Sequence, residues 1–195
     1  MTGPGAPDAP DAPDAPGMTG ADPSALSPAF LAGVVAETWP AAELRSLGAI
    51  TLRRSGDDSR RAKAASISAP VSDAAIAEAA AGMVAWGQVP LFSVPSDKLE
   101  FDAQLARLGY RDHDHAVFYA AEARALAAHR PPRATAIEIW EPLRIMEMLW
   151  ADHGIPRSRQ AVMARARCPK TALLGRTDDR AAGVAYIGAV ARARK

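Results

Sequence analysis

The chain has 195 residues and a mass of 20.5 kDa, with 23 Lys and Arg residues against 22 Asp and Glu residues. This length accommodates one ordinary domain or two small ones, and a formal charge of +1 gives no general reason to expect a nucleic-acid partner. The single cysteine, Cys168, excludes an internal disulfide and a cysteine-rich zinc site. Because no stretch resembles a signal peptide or a membrane span, we expect a cytoplasmic protein without a membrane partner.

Residues 1–27 form a Pro-, Ala- and Asp-rich tail in which the tripeptide Pro-Asp-Ala is repeated. Such a composition favours extended polyproline II and offers almost nothing to bury, so we expect the tail to be disordered. Met18-Thr19-Gly20 repeats Met1-Thr2-Gly3 after this stretch. Met18 is therefore a hypothetical initiator.

Residues 28–123 contain a succession of helical and strand-like patterns. The predicted elements, in chain order, are a helix ending near Pro40, a strand at 50–52, a turn at 56–58, a hairpin partner at 62–68, a helix from Ser72 to about Trp86, a buried strand at 89–94, a helix from Asp97 to Gly109 and a strand at 116–121. This succession predicts a first unit with a mixed α/β fold.

Residues 124–133, with two consecutive prolines, are predicted to be a linker, and the pattern starts again in residues 134–195. The predicted elements are a strand at 136–140, helices at 142–154 and 156–167, and a hairpin of strands 171–174 and 183–187 around a turn at 177–180. Residues 52–58 and 174–179 are weakly similar in sequence, which suggests two related units about 120 residues apart.

Charge is unevenly distributed, because residues 156–195 contain ten basic residues and only two acidic ones. Two interpretations are open: a phosphate- or nucleic-acid-binding surface, or a solvated face that docks against the acidic first unit. Aromatic side chains do not alternate with these arginines, which favours the second interpretation. Nucleic acid is therefore not an expected partner.

Residues 101–110 form a helix that ends in Leu-Gly-Tyr, followed by a strand. This pattern resembles the closing helix and strand of the GNAT acetyltransferase family. Together with residues 37–40, 47–48, 90–92 and 169–175, the chain resembles a bacterial subgroup in which a degenerate GNAT-like domain precedes a catalytic one. The resemblance covers about residues 30–190. It implies a central mixed sheet flanked by helices, and acetyl transfer from acetyl-CoA to an amine on a small molecule or peptide, without a metal.

The resemblance also implies which functional parts this chain has and lacks. Residues 45–50 come closest to the family's phosphate loop, but Ile50 stands at a position where the family has a small residue. In the first unit, Leu105 stands where the family usually has the Tyr that acts as general acid. The second unit ends before its loop and acid, so the chain looks truncated and its catalytic residues stay unassigned. By resemblance, the residues bordering the acceptor are Trp140, Trp150 and His153, although core packing is the alternative for both tryptophans. The alternative function is a non-catalytic interaction or dimerisation module that self-associates through an exposed edge strand.

Two further features are ambiguous in the sequence. The segment 112–115, Asp-His-Asp-His, provides two imidazoles at metal-pair spacing, but an exposed turn is favoured because no third ligand lies nearby. Cys168 has no neighbouring His in its motif, and we interpret it as a packing or surface thiol.

Overall fold

The computed structural model describes residues 26–56 and 59–190; residues 1–25 of the predicted tail, the hypothetical start at Met18 and most of the 56–58 turn lie outside these ranges. The described residues form seven helices and two three-stranded sheets, which confirms the mixed α/β fold class. In chain order the elements are α1 (Pro28–Thr38), β1 (Glu43–Leu47), β2 (Ile50–Arg54), α2 (Arg60–Lys63), β3 (Ser66–Ile67), α3 (Asp73–Ala85), α4 (Leu99–Arg107), α5 (Ala123–Ala127), β4 (Ala136–Ile139), α6 (Arg144–Asp152), α7 (Arg157–Arg165), β5 (Lys170–Thr177) and β6 (Arg180–Gly188).

The first sheet is antiparallel, in the order β1-β2-β3, and α3 packs against its central strand. Ser72 caps α3 by accepting a hydrogen bond from the backbone N–H of Ala75. The core here is formed by buried residues of β2 and α3, whereas α4 contributes to a neighbouring cluster. The main buried side chains are Ile50, Leu52, Ala79 and Met83 in the core, and Ile76, Phe101 and Leu105 in the second cluster.

Four predictions for the first unit are wrong or incomplete. β1 was not predicted, and the expected hairpin partner at 62–68 is the short helix α2 followed by the two-residue β3. Residues 89–94 are not a strand: Phe92 makes only an isolated parallel bridge to Ala65, prolines stand on both sides, and Val89 is 85% exposed. The strand predicted at 116–121 has no neighbouring strand to pair with. After this unit, the short helix α5 overlaps the first residues of the predicted linker, whose role as a boundary stays a prediction.

The second sheet is antiparallel, in the order β4-β5-β6, and the structure confirms its elements as a strand, two helices and a hairpin. Asp178 and Asp179 form the hairpin turn with φ angles of 47° and 59°, the left-handed conformation that matches the twist of the flanking strands. Side chains of α6 and α7 cover one face of this sheet. The buried residues of this core are Met146, Trp150, Met163, Ala172 and Leu174. No helix within the described ranges is long and apolar enough to cross a membrane.

Candidate functional site

The segment that follows α1 joins the two units, here defined as residues 43–110 and 136–188. The ring of Trp39 packs edge-on against Tyr186 of β6, with 6.0 Å between the ring centroids, and belongs to the second core. Its indole N–H donates a 2.8 Å hydrogen bond to Ser59, a buried residue of the first unit. One side chain therefore contacts both units.

Arg165, at the end of α7, makes a second connection between the units. Its Nη2 donates to the Pro40 carbonyl at 3.3 Å and to Ser55 Oγ at 3.0 Å. Ser55 is buried, and charge-assisted hydrogen bonds at such a position are stronger than those between neutral groups. We call Trp39, Pro40, Ser55, Ser59 and Arg165, with Tyr186, the junction.

Backbone contacts at the end of β6 complete the junction. The Tyr186 hydroxyl donates to the Thr38 carbonyl at 3.1 Å. A Cβ atom at Gly188 would lie 2.8 Å from Thr38 Cγ2, so glycine is required for α1 to approach β6 this closely. The junction is therefore fitted by shape as well as by hydrogen bonds.

Lys170 and Trp140 lie next to the junction. Trp140 packs against Tyr186 with a 6.1 Å centroid distance, and Lys170 Nζ stands 4.8 Å from the centre of the Trp140 ring. The same ammonium donates to the carbonyls of Ala164 and Ala166 at the end of α7. A cation is favourable at both places, over an aromatic face and at a helix C-terminus. These contacts give Lys170 a structural role.

The residues expected to border an acceptor occupy three different environments. Trp150 is 3% exposed in the second core, Trp140 is half-buried at its edge, and His153 is exposed at the end of α6. None of them lines the small cavity beside α6, which has a volume of about 100 Å³. That volume is below the several hundred Å³ of usual ligand pockets. The lining residues are Arg144, Glu147, Met148, Ala151 and Arg157.

The segment 112–115 does not gather metal ligands. Asp112 Oδ2 lies 3.0 Å from His115 Nε2, and Asp114 forms a 3.2 Å ion pair with Arg60. These side chains are exposed, and no cluster of three potential metal ligands occurs within residues 26–56 and 59–190. Cys168 Sγ lies 3.8 Å from the Glu37 carbonyl, beside the junction.

The outer edge of β6 carries unpaired backbone groups. The Ala189 N–H donates to the carbonyl of Pro169 on the neighbouring strand. Because backbone groups alternate in direction along a strand, the N–H and C=O groups of the odd-numbered residues of β6 point to β5. Those of Val184, Tyr186 and Gly188 point outwards. In the described part of the chain, no backbone hydrogen bond from another element reaches these three residues. No charged residue lies between Ala181 and Gly188. The sheet face opposite α6 is also uncovered there, where Ile187 is 44% exposed.

Comparison with known proteins gives no relative: no family model, curated protein or solved structure matches the chain. The GNAT resemblance stays a prediction. The junction and the β6 edge are the features on which a function can be built.

Burial raises the pKa of Tyr186 to about 12 from its ordinary value of 10, and an electrostatic contribution from nearby Cys168 adds to this shift. Because the folded state favours the neutral phenol, this contribution to stability is complete below pH 10 and is lost as the pH rises towards 12. We expect phenolate absorbance to show a late titration near pH 12 that Tyr186→Phe removes. A late titration unchanged in that variant would contradict this assignment.

Proposed function

We propose that the chain is a non-catalytic interaction module that self-associates through the outer edge of β6. The observation that carries the proposal is the row of outward N–H and C=O groups at Val184, Tyr186 and Gly188. Long, uncharged edges without proline are templates for pairing with another strand. The small cavity at α6 and the dispersed positions of Trp140, Trp150 and His153 give less support to catalysis.

A second copy of the chain fits this edge because two β6 strands related by a two-fold axis pair antiparallel. Each strand then offers its partner the same set of donors and acceptors. With the two-fold axis at Val184, the charged residue of the strand, Arg180, would stand opposite Gly188 of the partner strand. Like charges are therefore not brought opposite each other. The resulting dimer has a continuous six-stranded sheet.

Ile187→Lys tests this pairing, because a lysine on an edge strand disfavours pairing of that strand with another one. We expect the dimer dissociation constant to rise at least tenfold, about 1.4 kcal/mol or more, by analytical ultracentrifugation. Val84→Lys is the matched control, because Val84 is 60% exposed on α3 of the first unit. Equal dissociation constants for wild type and Ile187→Lys would contradict the proposal.

Acetyl transfer from acetyl-CoA to an amine is the second candidate. The order β4-α6-α7-β5-β6 is the order that the GNAT resemblance implies for the start of a catalytic unit, and this observation supports the candidate. In that case Trp140, Trp150 and His153 would border the acceptor. We also propose a cytoplasmic location, which the lone cysteine supports.

Calorimetric titration with acetyl-CoA separates the two candidates. We expect no heat of binding, because the sequence lacks a good copy of the loop whose backbone N–H groups would hold the pyrophosphate. A titration of buffer with acetyl-CoA provides the baseline. A dissociation constant in the micromolar range would favour acetyl transfer and contradict the non-catalytic module.

A further inference from the structure

We infer that residues Ala116–Ala121, here called the strap, close onto the β6 edge of their own chain and limit its pairing with a second copy. The inference rests on the proposed self-association, because strap and partner would use the same backbone groups. It assigns a regulatory role to a segment that the fold leaves unpaired.

The strap is a strand-forming sequence without a neighbouring strand. Its central residues Val117, Phe118 and Tyr119 are 73%, 54% and 94% exposed. Residues 111–121 belong to no helix or strand. Within the described part of the chain, they neither donate nor accept a backbone hydrogen bond. β-branched and aromatic residues with unpaired backbone favour addition to a sheet edge.

The start of the strap is tied to the C-terminal end of β6. Asp114 forms its ion pair with Arg60, which directly follows Ser59. Ser59 accepts the hydrogen bond of Trp39, whose ring packs on Tyr186. A short series of contacts therefore connects Asp114, two residues before the strap, to the strand that the strap would join.

The other end of the strap leads to the opposite end of the sheet. β4 begins at Ala136, which pairs with Gly175, and Gly175 pairs in turn with Gly183 near the start of β6. A strap running from the C-terminal to the N-terminal end of β6 is thus antiparallel to it. Residues 122–135 must then cross three strand spacings, about 14 Å, and the nine of them outside α5 reach about 30 Å when extended.

Charge is compatible with this closed arrangement. The strap itself has no charged residue, as is the case for Ala181–Gly188. Glu122 follows the strap and would lie near Arg180 at the start of β6. An opposite-charge pair across neighbouring strands is favourable, whereas like charges there would be unfavourable.

Closure would weaken dimerisation in proportion to the fraction of closed chains. A partner can bind only a chain whose edge is open, so the apparent dissociation constant is the intrinsic one divided by the open fraction. Opening the strap should therefore tighten the dimer without any change in β6. This consequence distinguishes a competing strap from a segment that is simply exposed.

The test uses the full chain and the double variant Val117→Pro/Phe118→Pro. Successive N–H groups point to opposite sides of a strand, so the two prolines remove one N–H from each side. At concentrations where the protein is monomeric, we expect slow amide exchange for strap residues and for Val184 and Tyr186 in the wild type, and fast exchange in the variant. We expect the dimer dissociation constant of the variant to fall at least tenfold. Arg130→Pro, next to Pro131 in the connection to β4, is the control for an added proline.

The outcomes separate the strap from the self-association it would regulate. Unprotected strap amides in the wild type would overturn the inference, even if the protein dimerises. A third outcome is that the strap amides lose their protection in the double proline variant while the dimer dissociation constant stays the same. This result would uphold strap pairing and reject self-association. Protection that persists in the variant would also overturn the inference.

Discussion

The second core depends on an indole that comes from outside its own unit. Trp39 follows α1 at the start of the described chain, yet its ring packs against Tyr186, and the adjacent Thr38 carbonyl accepts from the Tyr186 hydroxyl across 148 positions of sequence. The indole N–H donates a hydrogen bond to buried Ser59 in the first unit. Removing Trp39 from this position would leave an apolar gap on one side and would take a hydrogen bond from buried Ser59 on the other. The two units are therefore expected to be stable only together.

The junction also explains why β6 is held in place while one of its edges stays open. Tyr186 directs its side chain into the junction and its backbone groups outwards, so the strand is fixed without its ladder being completed. Lys170, which pairs with Gly188 of β6, holds the end of α7, and Arg165 connects that end of the helix to the first unit. An edge that is rigid and uncharged loses little conformational entropy on pairing, which is what a specific strand partner requires.

The sequence predicts the second unit far better than the first, because its signals are local. Met146 and Trp150 stand four residues apart on the apolar face of α6, and Asp178-Asp179 suits a two-residue hairpin turn. β1 was missed because four of its five residues are exposed and its strand conformation depends on pairing with β2. The strap was predicted as a strand from its β-forming residues, but a strand requires a neighbour that sequence periodicity does not supply.

The site was less predictable than the fold. Trp140, Trp150 and His153 are close in sequence, but α6 separates Trp140 from the other two. The helix buries Trp150, whereas His153 at its end is exposed. The packing of Trp39 on Tyr186 and the bond from Arg165 to Ser55 join residues more than 100 positions apart, for which the sequence has no short-range signal. The uneven charge suggests docking of the basic residues against the acidic first unit; Arg165 does reach that unit, but its partners there are a serine and a backbone carbonyl, not a carboxylate.

Thermal unfolding by scanning calorimetry tests the central claim that the junction makes one cooperative unit of the two. For the wild type we predict a single transition in which the calorimetric and van't Hoff enthalpies agree. Arg165→Ala should lower the midpoint or split the transition, whereas Arg167→Ala, at an exposed position two residues later, should leave it unchanged. Two separate transitions in the wild type would contradict the account.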